Sequence, residues 1–165
     1  SLSCDDATAR EIAAVLMRAA GPGGMVGGQG LDLLGEDRAL PEAELTELHR
    51  HKTGALLRAG LSMGARAAGA SVDILRAFEA YGDAIGLAFQ IADDVLDATA
   101  SADVLGKQPS DAELGKSTYV ALHGVDRARE LAWDEVKRAH DALRACDLDA
   151  PVLEQLAEYM VSRLH

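Results

Sequence analysis

Apolar residues fall at helical spacing through most of the chain. Ile12, Ala13, Leu16, Met17 and Ala20 recur every three or four positions behind the acidic pair Asp5 and Asp6, which suits a helix N-terminus. Gly21-Pro22-Gly23-Gly24 breaks that helix, and Gly27-Gly28-Gln29-Gly30 follows, so many glycines marking either a loop or very close backbone packing. A short helix through Asp32 is the reading preferred. Pro41 is read as a first-turn residue of the next helix, carried on by Leu45, Leu48, Lys52, Leu56, Ala59 and Met63 toward Gly69. Ser71 can cap another helix reaching about Asp97. From Thr99 to Gly115 the period fails, and Ser101, Asp103, Gly106 and Pro109 predict a loop. Val125, Ala128, Leu131, Ala132, Val136, Ala139 and Leu143 restart the helical pattern, and Pro151 opens a last amphipathic helix. Five or six helices with no repeat predict an all-α bundle in one domain over residues 1–165.

Composition narrows this picture. Of 165 residues 48% are hydrophobic and only 4% aromatic, so Ala and Leu must fill the core, a mix that suits helices and argues against sheets. The 16 basic residues against 27 acidic ones leave a net charge of −11, which speaks against a nucleic-acid partner. Cys4 and Cys146 have no neighbour at metal-ligand spacing, and a reducing cytoplasm is the default location. Gln90, Asp93 and Asp94 interrupt the best apolar run, short of the roughly 18–20 residues a membrane helix needs, so no stable membrane insertion is expected. The opening Ser1-Leu2-Ser3, without Met or a signal pattern, reads as an internal start, a cloning scar or processing.

The strongest chemical signal is Phe89-Gln90-Ile91-Ala92-Asp93-Asp94-Val95-Leu96-Asp97, where three carboxylates interrupt an otherwise apolar helix. Gln90, Asp93 and Asp97 form one stripe a turn apart, with Asp94 beside it. Facing carboxylates repel unless a cation lies among them, and an oxygen-only set suits Mg2+ better than zinc. The alternative, a solvated acidic turn, is weakened by Phe89, Ile91, Val95 and Leu96. Lys52-Thr53, Gly106-Lys107 and Gly115-Lys116 are individually ordinary surface features. Beside an Mg2+ site they make chemical sense, because a diphosphate is commonly held by metal on one side and lysine point charges on the other. Ser110 through Ser117 lacks the first glycine and the strand of a P-loop, and His49 and His51 point to different sides of a helix, so neither a triphosphatase nor a histidine metal pair is read there.

In order, the segments Gly24 to Asp32, His49 to Leu56, Phe89 to Asp97, Gly106-Lys107 and Leu114 to Tyr119 resemble the trans-isoprenyl diphosphate synthases, in particular the bacterial farnesyl or geranylgeranyl type. The resemblance implies an all-α isoprenoid-synthase bundle and a head-to-tail condensation. An allylic diphosphate ionises, the double bond of isopentenyl diphosphate attacks the cation, and a proton leaves. It further implies Asp93 as the most direct Mg2+ ligand, with Asp94 and Asp97 acting through water or orienting it. Lys52, Lys107 and Lys116 would contact the allylic diphosphate, with Thr53 and Gln90 beside the reacting carbons and phosphates and Gln29 and Asp32 near the pocket. The family's earlier aspartate-rich motif and its isopentenyl diphosphate residues are not found here. Asp5-Asp6 reads as a helix cap. The chain therefore resembles the C-terminal half of a synthase, expected to be inactive alone and to self-associate, for instance as a homodimer, through faces the missing helices would cover. The alternatives are a non-catalytic helical partner subunit of a heteromeric prenyltransferase and a terpene cyclase, the latter weakened by the two Gly-Lys pairs.

Overall fold

The structure, a computed structural model, describes residues 5–35, 38–105 and 117–162, the side chains of 101–105 excepted. It is all-α, with no strand among the described residues. Asp5 caps α1 (Asp6–Ala20), its Oδ1 accepting the Thr8 N–H at 2.7 Å, and that bond holds the carboxyl below its ordinary pKa. Gly21 through Gly24 separate α1 from α2 (Met25–Gly35). The glycine-rich stretch is thus helix, and the tight contacts described below explain its composition.

Pro41 is the extended N-cap of α3 (Glu42–His49) rather than its first helical residue, its carbonyl accepting the Glu44 and Leu45 N–H groups. The single helix expected from Pro41 to Gly69 is in three parts. A π-turn at Arg50–Gly54 joins α3 to α4 (Ala55–Ala67), and Gly69 ends the run at φ +69°. Ser71 does cap α5, its Oγ accepting the Ile74 N–H at 3.3 Å. That helix runs from Val72 to Leu105, so the loop expected from Thr99 begins no earlier than residue 106. Ser101 and Asp103 are poor helix formers whose local preference the helix overrides. A five-residue helix, α6 (Tyr119–His123), is too short to show a period in sequence. It is capped by Thr118, whose hydroxyl accepts the Ala121 N–H at 3.0 Å. The chain closes with α7 (Val125–Arg144) and α8 (Pro151–Ser162).

α5 is the axis of the bundle. Tyr81, Ala84, Ile85, Ala88, Ile91, Ala92 and Val95 are buried along it at helical spacing. α7 packs along α5 with Ala128, Ala132, Val136, Ala139 and Leu143, all buried. Alanines at these positions let two helix backbones come close, which is how a chain poor in aromatics still fills its core. α8 adds Ala157 and Val161, and the Tyr81 hydroxyl donates to the Leu153 carbonyl at 2.7 Å. On the other side α1 lies on α4, Ala19 against Ala55 and Ala59.

Candidate diphosphate and metal site

Two turns facing each other make the site. The first is the π-turn that carries Lys52 and Thr53. An i→i+5 turn inserts one residue into the helix and re-aims the side chains around it. Glycines on two neighbours hold it: a Cβ at Gly28 of α2 would lie 2.2 Å from Lys52 N, and one at Gly86 of α5 would lie 2.9 Å from Gly54 Cα. Neither approach is open to a residue with a side chain. The second turn is the aspartate segment of α5. The two meet where the Thr53 hydroxyl donates to Gln90 Oε1 at 3.0 Å, one turn before Asp93 and Asp94.

Lys52 is half-buried, and its Nζ donates to Asp32 Oδ2 at 2.5 Å. Asp32 thus fixes the direction of the ammonium group, a role the sequence left open, while Gln29 is exposed on the same helix. Asp93 and Asp94 are half-buried between the buried Ala92 and Val95, and Asp97 is exposed one turn on. Asp94 Oδ2 accepts the backbone N–H of Tyr119 at 2.8 Å and lies 4.0 Å from His49 Nε2. The structure therefore brings together Lys52, Thr53, Gln90 and the start of the aspartate turn. Lys107 and Lys116 lie outside the described residues.

The aspartate turn fits a hard divalent cation as one wall of a site. Its donors are carboxylate oxygens, and among the described residues no three His, Cys, Asp or Glu groups close around a common point. An ion held there keeps positions open for water and phosphate oxygens, the habit of Mg2+. The Lys52 ammonium, directed by Asp32, is the cationic group on the turn next to this wall.

A family model described as polyprenyl synthetase matches residues 5–159. The chain belongs to the polyprenyl synthetase family. It is 44% identical over 153 residues to the farnesyl diphosphate synthase of Escherichia coli (strain K12), an alignment covering 90% of this chain and 51% of that protein. It is 38% identical over 151 residues to the farnesyl diphosphate synthase of Geobacillus stearothermophilus, covering 91% and 51%. The crystal structure of a geranyltransferase from Helicobacter pylori complexed with magnesium and isoprenyl diphosphate is similar at a TM-score of 0.77 and 30% identity, covering 98% of this chain and 53% of that one. The chain spans about half the length of the curated relatives it matches. The all-α polyprenyl synthetase fold expected from the motifs is the fold observed.

Sequence reasoning missed the residues behind the polyprenyl synthetase site. His49, which the sequence marks only as pointing away from His51, is buried and its ring stacks on Tyr119, with centroids 5.9 Å apart. His51, on another side, pairs with Glu47 at 2.9 Å, so the two histidines do diverge. Thr46, which the sequence does not single out, and Ser117, read only as part of a motif, hold the segment around Tyr119 in place. A signal was present in Tyr119, the last residue of the Leu114 to Tyr119 segment and an aromatic in a chain that is only 4% aromatic.

Proposed function

We propose that this chain supplies the allylic-diphosphate side of a Mg2+-dependent head-to-tail condensation of isopentenyl diphosphate with an allylic diphosphate, giving farnesyl or geranylgeranyl diphosphate. The observation that carries the reading is the Thr53–Gln90 hydrogen bond of 3.0 Å, which sets the lysine turn against the aspartate turn in a member of the polyprenyl synthetase family. Lys52, with Lys107 and Lys116, binds the diphosphate as point charges, and Asp32 keeps the Lys52 ammonium aimed. Thr53 and Gln90 orient the phosphates and the reacting carbon beside them. Asp93 is the most direct Mg2+ ligand, Asp97 acts through water, and Asp94 orients the turn. Mg2+, when bound, offsets the charge that builds on the departing diphosphate. The allylic C–O bond breaks with its electron pair leaving on the diphosphate. The double bond of isopentenyl diphosphate then attacks the allylic carbon, and a proton is lost from the adduct. Apolar side chains around the turn, Phe89 and Leu96 among them, help keep water from the cation.

The first aspartate-rich motif and the isopentenyl diphosphate residues do not occur in these 165 residues. The chain by itself is therefore inactive on this reading, and it works as a homodimer or other self-assembly only when the other wall is supplied. A cytoplasmic location goes with these water-borne substrates. The exposed apolar side chains of α2 favour one further reading, a helical partner subunit that pairs with a second, catalytic chain. Product formation from dimethylallyl and isopentenyl diphosphates with Mg2+ separates these readings. No product from the folded chain, and product once it is joined to the missing half of a relative, is the expected result. Failure of the joined chain would leave the partner-subunit reading. Turnover by the chain alone would overturn its inactivity. Mg2+-dependent binding of an allylic diphosphate analogue that survives Asp93→Ala unchanged would sink the metal assignment.

A further inference from the structure

The face of α1 that lies on α4 gathers positive charge. Arg10, Ala14 and Arg18 recur a turn apart on α1 and Arg66 meets them from α4, so that with Glu11 and Val15 they line an open groove of about 420 Å3. Three arginines against one glutamate leave this groove a charge of +2 in a chain of net charge −11. Among the described residues Arg10 and Arg18 make no ion pair, while Glu11, 63% exposed, pairs with Arg66 at 3.3 Å. Arg66 also donates from Nε to Ser62 Oγ at 3.3 Å. Ser62 and His49 are the two buried polar side chains among the described residues, and the Ser62 hydrogen has no acceptor there. Ser62 opens on an adjoining groove of about 360 Å3 that shares Val15, Arg18 and Arg66 with the first. Ala19, Ala55 and Ala59 floor it and are too small to fill it. Arg58 and Asp83 offset each other there at 3.0 Å, and Glu79 is exposed.

Like charges drawn to one groove repel unless a counter-charge lies among them, and the planar fork of a guanidinium matches phosphoryl oxygens. Arg10 and Arg18 start about 12 Å apart along α1, with Arg66 facing the interval, so an anion of two or more phosphoryl groups reaches them better than one. We propose that the α1–α4 groove is a metal-independent anion site that takes a diphosphate or longer polyphosphate group on Arg10, Arg18 and Arg66. Ser62 steadies Arg66 through Nε, and the exposed Glu11 gives way to the anion. The site is separate from the aspartate turn, because Asp83 of the adjoining groove precedes Asp93 by about 15 Å of helix. It therefore does not rest on the proposed function, and neither a metal nor a residue of that turn takes part.

The test titrates inorganic pyrophosphate into this chain in EDTA and follows backbone amide shifts. Saturable shifts are expected at residues 14–18 and 62–66, with a midpoint lower than that of inorganic phosphate. Arg10→Gln and Arg18→Gln each raise the midpoint by about threefold or more, and Glu11→Gln lowers it. Arg76→Gln, on α5 where Arg76 pairs with Asp73, leaves it unchanged. All four side chains are exposed, so these variants keep the fold. Shifts confined to Lys52 and residues 90–97 would place the anion at the diphosphate site alone and overturn the proposal, as would no shift at all. Groove shifts that Arg76→Gln weakens as much as Arg18→Gln also overturn it, since they report general attraction to basic surface. Dimethylallyl diphosphate, run alongside, separates the sources of the group. A midpoint equal to or above that of pyrophosphate assigns the groove to the free anion, and a lower one assigns it to the ester, whose carbons then rest on Ala14 and Val15. Because EDTA removes any divalent ion, failure here leaves the Mg2+-dependent reading of the aspartate turn standing.

Discussion

Single side chains set the charge balance of the site, and the Lys52–Asp32 pair is the clearest case. Both partners keep some solvent, with side-chain exposures of 29% and 20%. A fully buried pair that loses one partner costs about 3–5 kcal/mol, and partial exposure reduces this to about 1–2 kcal/mol. Asp32→Ala is therefore expected to lower the urea-unfolding free energy by that amount. A double-mutant cycle with Lys52→Ala should recover part of it, and strictly additive losses would show that the pair is not coupled. Tyr81 makes a second prediction. Burial pushes its phenol up to about 12, above the ordinary 10. Below pH 10 both folded and unfolded chains keep the proton, so the contribution to stability is complete. Between about 10 and 12 the unfolded chain gives up a proton that the folded one retains, and stability falls as pH rises. Tyr119, raised above its ordinary value chiefly by burial, acts in the same direction. Tyr81→Phe should flatten, without abolishing, the alkaline loss of stability. An unchanged slope in pH-dependent urea unfolding would remove Tyr81 from that account.

At the scale of elements, the π-turn exists because its neighbours grip it. α2 can lie on it only where Gly28 has no side chain, and α5 only where Gly86 has none. Gly28→Ala puts a methyl into the Lys52 backbone at 2.2 Å, which neither side can yield, and a loss of about 2–4 kcal/mol is expected. Gly30→Ala in the same helix meets nothing within 4 Å and should instead stabilise by about 0.5–1 kcal/mol. Thermal midpoints moving in opposite directions would establish that the glycines serve different ends, and a common direction would refute the close-approach account. This contrast also marks what the sequence could convey. The aspartate turn and Lys52-Thr53 were legible because ionisable groups stand out in apolar helices. The glycine-rich stretch was legible as a choice between loop and tight packing. Which of the two held depended on Lys52, at position 52, meeting a residue at position 28, and no local period reports that. His49, Asp94 and Tyr119 meet across still longer separations. The end of α5 was misread because Ser101 and Asp103 carry loop preferences into a helix that continues past them.

For the molecule as a whole, the distribution of apolar surface is the property that most needs a partner. A chain of net charge −11 repels copies of itself at long range, yet Leu33 and Leu34 on α2 are 59% and 76% exposed, and Met17 on α1 is 72% exposed. Val26 and Leu31 widen the same helix's apolar surface, and the α1–α2 connection is only Gly21 through Gly24, so both helices belong to one edge of the bundle. Most of the surface of these two consecutive leucines contributes nothing to the fold they sit on, and covering the exposed part of each gains about 1–2 kcal/mol. Charge repulsion between copies is screened within roughly 8 Å at physiological salt, so the apolar gain prevails at contact. The chain should therefore run above its monomer mass in light scattering at moderate salt, and more so as salt is raised. Leu33→Glu combined with Leu34→Glu should return it to 17.3 kDa with helicity intact, because the two side chains touch little of the interior. A wild-type chain that is monomeric at all salts would mean that the α2 edge needs no cover. A double variant that still associates would shift the contact to another face, with Val152 and Tyr159 on α8, 75% and 69% exposed, the next to be changed.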